Sequence, residues 1–289
     1  LVGLPTETVY GLAADATNPV AVAAIYAAKG RPQFNPLIAH VLGAADAARE
    51  AMFCDRATAL ARAFWPGPLT LVLPRQKTGA VCDLACAGLA TIGVRAPAHL
   101  VARALIAAVG RPLAAPSANP SGRISPTSVQ HLRDDALPGL DIVLDGGASA
   151  LGLESSIVAV LPNKPLRLLR EGAIPRATLE AIAGPLAAAS EAVSAPGMLA
   201  SHYAPRARLR LNALGLESGE YGIGFARYLR GAAMDLSPDG NLTEAAARLY
   251  GALRAADASG ATIIAVAPIP EHGLGAAIND RLRRAAARD

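Results

Sequence analysis

Residues 5–11 read Pro-Thr-Glu-Thr-Val-Tyr-Gly and close the apolar stretch Leu1–Leu4, which reads as the tail of a strand begun earlier. Three hydroxyls and a carboxylate fall within seven residues, between a proline and a glycine, where a strand should stop. Polar groups gathered at a strand end, with Pro and Gly fixing the turn, form either a ligand floor or a polar turn capping the next helix. The run alone does not choose between these; the rest of the chain does.

Outward from it, Pro19–Ala28 is alanine-rich with apolar periodicity and reads as a helix stopped by Gly30 and Pro32. Strands are expected at Leu37–Leu42, Leu69–Leu73, Thr91–Val94, Leu113–Ala115, Asp141–Leu144, Ser156–Val160 and Leu166–Leu169. Helices are expected at Ala44–Glu50, Arg56–Phe64, Leu100–Val109 and Thr178–Ile182. The order has no strict βαβ period, so a twisted mixed sheet flanked by helices is the expected α/β architecture. From Gly184 to Ala204 small residues punctuated by Pro185, Pro196, Gly197 and Pro205 read as a linker. Strands at Leu209–Leu211, Gly222–Phe225 and Thr262–Pro268, with helices at Leu242–Ala258 and Ala276–Ala287, make a small α/β unit beyond it. The expected division is a domain of residues 1–184, a linker or lid of 185–206 and a C-terminal domain of 207–289.

The chain has 289 residues, enough for two domains and a large core. It is 52% hydrophobic and only 4% aromatic, so alanine, leucine and valine must do most of the packing. No apolar run approaches a membrane span and no basic segment leads into one, so a soluble, cytoplasmic protein is expected. Cys54, Cys82 and Cys86 form no disulfide pattern, and Cys82 and Cys86 lack a second ligand pair. Reduced structural thiols and no metal site are expected. The net charge is +4, and only Lys29, Lys77 and Lys164 are lysines. Arg281, Arg283, Arg284 and Arg288 read as a solvated helix end rather than an RNA contact, because no aromatic side chains are interleaved to stack on bases.

In Lys29-Gly30-Arg31-Pro32, Gly30 should end the helix and Pro32 favours an extended residue before it. Extended geometry points Lys29 and Arg31 the same way. Two adjacent cations make a phosphate site or, equally, a basic helix C-terminus complementing the macrodipole. Ser117-Ala118-Asn119 repeats the i, i+2 pattern with a hydroxyl and an amide. After it, Ser125 or Thr127 is expected to cap a helix, with Pro126 near the first turn; a cap and an anion site use the same free N–H groups. Arg95, ending its strand, suits bidentate capture of a carboxylate. His40 is placed similarly, although a lone histidine is more often a structural hydrogen bonder. Glu154-Ser155-Ser156 opens another strand and Arg170 closes the next. His202-Tyr203 puts an imidazole and a phenol in a linker that, as a mere spacer, needs neither. There is no Gly-x-x-x-x-Gly-Lys loop, Gly-x-Ser-x-Gly elbow, full Gly-x-Gly-x-x-Gly fingerprint or His–carboxylate pair with metal spacing. Such a site works by positioning and charge stabilisation rather than by a covalent intermediate.

Together the motifs resemble the threonylcarbamoyl-AMP synthase family, of the YrdC/TsaC type, and the linker selects its long two-domain form. They are residues 5–11, Lys29-x-Arg31, Asn35-Pro36-Leu37, Trp65 to Thr70, Val94 to Pro97, Ser117-x-Asn119, Asp145-Gly146-Gly147, Glu154 to Ile157, and the Pro196-Gly197-Met198 to Pro205 linker. The resemblance implies a YrdC-like twisted mixed sheet around an open cavity, plus a small Rossmann-like C-terminal domain. It implies a nucleotidyltransferase joining L-threonine, bicarbonate or CO₂ and ATP, with Mg²⁺, into threonylcarbamoyl-AMP and pyrophosphate. Downstream transfer proteins would then pass the threonylcarbamoyl group to an adenosine in tRNA.

By the same resemblance Lys29, Arg31, Ser117 and Asn119 would be catalytic and would bind ATP together with Thr91, Ser125, Arg170, His202 and Tyr203. Thr6, His40, Arg95 and Ser155 would surround the threonine, and the linker would close as a lid over a labile carbamate and adenylate. A monomer is expected, and direct tRNA contact is left open. Two departures from the family pattern stand out. The helix and strand that usually precede the Pro-Thr-Glu-Thr run are not seen, and Glu171 follows Arg170 where proline is common. The main alternative is a non-catalytic RNA-binding module, which would show steeply salt-dependent RNA affinity. A carbamoyl-phosphate-using domain of related fold is the second, and the His-Tyr linker disfavours it.

Overall fold

Strand β1 (Val2–Leu4) runs into residues 5–10 and returns as β2 (Gly11–Asp15), pairing antiparallel, so the polar run is the loop of a hairpin. The structure, a computed structural model, describes residues 1–188 and 202–287. Sequence reasoning missed β2, because Gly-Leu-Ala-Ala-Asp has no β-branched residue and becomes a strand only through partners on both sides.

Helix α1 (Pro19–Lys29) forms for local reasons. The Asn18 side chain accepts from the N–H groups of Val20 and Ala21, Pro19 presets φ, and Gly30 stops the helix in the left-handed region at φ 58°. The first domain continues through β3 (Ile38–His40), α2 (Ala44–Glu50), α3 (Asp55–Phe64), β4 (Leu69–Pro74), β5 (Thr91–Arg95), α4 (Leu100–Val109) and β6 (Leu113–Ala114). It ends with α5 (Val129–Asp135), β7 (Ile142–Val143), β8 (Ser156–Ala159), β9 (Arg167–Arg170), α6 (Arg176–Ala183) and β10 (Ala187–Ala188). Its strands lie in the order β10-β9-β8-β4-β5-β3-β6-β2-β1-β7, mixed parallel and antiparallel. The run Leu69–Leu73, apolar but for Thr70, suits β4, which is buried along almost its whole length between β5 and β8.

Two expectations shift. Ser128, rather than Ser125 or Thr127, caps α5, accepting from the His131 N–H. Ala187–Ala188 pair with β9 at the sheet edge, so ordered structure continues into the expected linker. Residues 189–201, including Pro196 to Ser201 of that linker, and Arg288 lie outside the described residues.

The C-terminal unit comprises β11 (Arg208–Arg210), β12 (Tyr221–Gly224), β13 (Met234–Asp235), α7 (Leu242–Ala258), β14 (Ile263–Val266) and α8 (Leu274–Ala286). Its strands are all parallel, in the order β11-β14-β12-β13. Its core is shared: Val9, Ile124 and Leu153 of the first domain join the apolar cluster of Leu249, Tyr250, Leu253 and Ile278. A Cβ at Gly152 would lie 2.5 Å from the Ala246 carbonyl oxygen, so only glycine lets the first domain approach α7 this closely. Among the described residues the cysteines are free, no helix is long and apolar enough to cross a membrane, and no His/Cys/Asp/Glu group could hold a metal ion.

Candidate active site

The hairpin loop is shaped by Thr6, whose Oγ1 donates to Val9 O at 2.6 Å and accepts from the N–H groups of Thr8 and Val9. That hydroxyl is used inside the turn, so Thr8 borders the central cavity and Thr6 does not. Glu7 reaches Arg95, with Nη2 2.5 Å from Oε1, while Nη1 donates to Thr8 Oγ1 at 2.9 Å and Nε to Gly67 O at 3.3 Å. Both terminal nitrogens of Arg95 are thus engaged within the protein, one of them by the motif's own acid. Burial pushes the Glu7 carboxyl up, but Arg95 overrules burial and leaves it below its ordinary value.

The phosphate side is also built differently from the extended pair expected. Lys29 is the last helical residue and Gly30 is left-handed, so a helix end and a bend, rather than strand geometry, bring Lys29 and Arg31 together. Lys29 Nζ donates to Ser117 O at 2.5 Å and to Asn119 O. Arg31 donates to Asn35 O at 3.2 Å and Pro36 O at 3.0 Å. Ser117-x-Asn119 thus meets the lysine with backbone rather than side chains, because Ala118 N donates to Tyr10 O and ties this segment to the hairpin. Asn119 Nδ2 donates to Pro120 O and Arg123 O, leaving Oδ1 buried without a partner among the described residues. Burial, then the charge of Arg31, pushes the Lys29 amine well below its usual range, and burial takes Arg31 down to about 10.

On the third side Glu154 gathers contacts that sequence reasoning missed. Its Oε1 accepts from Ser125 Oγ at 2.6 Å, and its Oε2 from Tyr250 OH and Arg281 Nε, both at 2.9 Å. Burial alone would raise this carboxyl; Arg281 and Arg170 bring it down to about 2. Arg281, expected on a solvated helix end, is fully buried, because the first domain covers that face of α8. Arg283 and Arg284 pair with Glu271 and Asp280. Arg170 donates through Nε and Nη2 to Ser155 O, and Ser155 Oγ is 2.7 Å from Thr70 Oγ1. His202 and Tyr203 pack edge to face at 4.0 Å, with Tyr203 at φ 64°. His202 Nδ1 and Tyr203 OH are buried without a partner among the described residues.

Between these groups lies a narrow cavity of about 40 Å³, smaller than an ordinary ligand site, so the walls must part for substrates to enter. Of the expected residues, Arg31, His40, Arg95, Ser117, Ser155, Arg170, His202 and Tyr203 border it. Lys29, Asn119 and Ser125 stand behind that wall, and Thr8 and Glu154 are additions to it. Thr91 is not brought in: it opens β5, roughly 13 Å along the strand from Arg95. Burial takes the His40 and His202 imidazoles to about 3, so both are neutral near pH 7.

Residues 1–172 match the family model described as telomere recombination (Sua5, YciO, YrdC). Residues 174–287 match that of the threonylcarbamoyl-AMP synthase C-terminal domain. The threonylcarbamoyl-AMP synthases of Pyrococcus abyssi and Bacillus subtilis are each 38% identical to this chain, over 99% of it and 90% and 89% of their own lengths. A crystal structure of P. abyssi Sua5 complexed with L-threonine matches at a TM-score of 0.91 and 36% identity, covering 99% of this chain and 90% of that one.

Proposed function

The chain belongs to the threonylcarbamoyl-AMP synthase family in its long, two-domain form, and from that premise we infer what its cavity does. It joins L-threonine, bicarbonate or CO₂ and ATP into threonylcarbamoyl-AMP and pyrophosphate, supplying the activated group for threonylcarbamoyladenosine in tRNA. As a reaction class this is nucleotidyl transfer.

The observation that carries the reading is the pair Lys29 and Arg31, both buried and held by carbonyl oxygens. Each would be more stable in its charged form beside a polyphosphate, so by linkage the pair favours ATP. Glu154, the carboxylate bordering the cavity, and Glu7 of the hairpin loop are both occupied by arginines, so the residues do not fit a resident metal ion. Mg²⁺ then enters with ATP, on its phosphate oxygens.

The threonine amine adds to CO₂, forming a C–N bond and releasing a proton. A carbamate oxygen then attacks the α-phosphorus in line, the bond to the β-phosphate oxygen breaks, and pyrophosphate leaves. Arg31 at the wall and Lys29 behind it neutralise the departing charge, and Asn119 holds Lys29 through its carbonyl oxygen. Thr8, His40, Ser155 and the Arg95 side chain, held in place by Glu7, border the amino acid. Arg170, His202 and Tyr203 exclude water from the carbamate and adenylate. Thr6 acts by shaping the turn and Ser125 by holding Glu154.

The test is pyrophosphate release from ATP with Mg²⁺ and bicarbonate, with L-threonine present or omitted. Strict dependence on threonine and bicarbonate, with the threonylcarbamoyl-AMP mass among the products, is expected. Folded protein that releases none would return the RNA-binding reading to first place. That alternative would have the concave site's cations meet a phosphate backbone, whereas Lys29, Arg31, Arg95, Arg170 and Arg281 are all buried.

A further inference from the structure

We propose that Arg281 and Tyr250, both contributed by the C-terminal domain, are positioning residues for the nucleotide side of the site, acting through Glu154 and Tyr203. The proposal rests on the reaction assigned above. A buried guanidinium is costly unless it is paired and hydrogen-bonded, so its partners say what it is for. Arg281 Nε donates to Glu154 Oε2 at 2.9 Å and Nη1 to Asp280 Oδ2 at 2.7 Å, while the guanidinium carbon lies 5.1 Å over the Tyr203 ring. Tyr250 donates its hydroxyl to the same Glu154 carboxylate and stacks its ring on Tyr203, with centroids 5.7 Å apart and planes at 27°. One carboxylate of the cavity wall and one ring of the closing segment are thus held by the same two C-terminal side chains.

A second, partly buried ion pair joins the domains and serves as an internal comparison. Arg254 Nη2 meets Asp135 Oδ2 at 2.7 Å, and neither residue borders the cavity. If holding the domains together were the only requirement, that pair and the shared apolar core would serve. Arg281 and Tyr250 instead converge on the wall where Ser125, Glu154 and Tyr203 stand. Removing them leaves Glu154 free to turn toward Arg170, and Tyr203 free to leave its ring contact.

The experiment compares kcat and the separate KM values for ATP and L-threonine in wild type, Arg281→Met/Glu154→Gln, Tyr250→Phe and Arg254→Met/Asp135→Asn. The first pair removes both charges, so neither is stranded, and Tyr250→Phe keeps the stacked ring while deleting only the hydroxyl. Loss of a charged hydrogen bond predicts a rise of about tenfold in the KM for ATP in the first variant and a smaller rise in the second. The KM for threonine should change less than about twofold, and the Arg254/Asp135 variant should keep both constants while unfolding more readily. An ATP KM within about twofold of wild type in the folded double variant would overturn the proposal, as would parallel rises for both substrates. If the double variant does not fold, Tyr250→Phe decides by the same criteria. Should the wild type make no threonylcarbamoyl-AMP, the reaction reading fails on its own. Equilibrium binding of ATP to the same proteins then still reads the positioning effect.

Discussion

Glu154 shows how one residue can tie a site together. Ser125, Tyr250 and Arg281 all donate to it, and its carboxyl is held at about 2. Glu154→Gln should leave Arg281 with Asp280 as its carboxylate partner and destabilise the protein by about 1–3 kcal/mol. A urea midpoint equal to wild type would mean the pair is not formed in solution. Lys29 is the opposite case, a buried ammonium whose two acceptors are backbone carbonyls. Lys29→Met removes a costly buried charge and deprives Ser117 O and Asn119 O of a donor, effects of about 1–3 kcal/mol with opposite signs. The fold should survive by far-UV circular dichroism, and ATP-dependent pyrophosphate release should fall at least about a hundredfold. Release above a tenth of wild type would remove Lys29 from the chemistry.

At the level of elements, the loop after β9 is pressed onto the segment that opens β8. A Cβ on Gly172 would sit 2.4 Å from Ser156 N, 2.5 Å from Ser155 C and 2.6 Å from Glu154 O. Backbone cannot yield as a flexible side-chain tip can, so Gly172→Ala should displace residues 154–156. We expect about 1–3 kcal/mol of destabilisation, together with lost turnover because Ser155 and Glu154 move. A variant with wild-type melting temperature and wild-type pyrophosphate release would show that the loop does not press there. The hairpin loop is legible in part for the same local reason: Pro5 and Gly11 mark its ends, but which threonine faces the cavity depends on a turn that Thr6 closes on itself.

For the whole molecule the buried imidazoles set an acid limit. His40 and His202 lie at about 3 in the fold and near 6.5 when unfolded, so below about pH 6.5 the unfolded chain binds more protons and stability falls as pH falls. Glu154, at about 2 in the fold and near 4.3 unfolded, adds a second loss of the same sign below about pH 4.3. A urea midpoint that declines in two stages as the pH falls below about 7 is expected. No change between about pH 7 and pH 5 would contradict neutral burial of the two histidines. The two domains should unfold in one transition, since Val9, Ile124 and Leu153 belong to the C-terminal core cluster.

The sequence by itself determined the α/β class, the bounds of α7, and the set of motifs that carries the family resemblance and its two-domain form. Caps, periodicity and turn residues act within a few positions, so they can be read without the rest of the chain. Tertiary structure decided who holds whom. Glu7 takes Arg95 across 88 residues, and Glu154 takes Arg281 across 127. An arginine in a basic cluster carries no local mark of burial; only the packing of the first domain against α7 and α8 turns Arg281 from a candidate surface charge into the fully buried partner of Glu154.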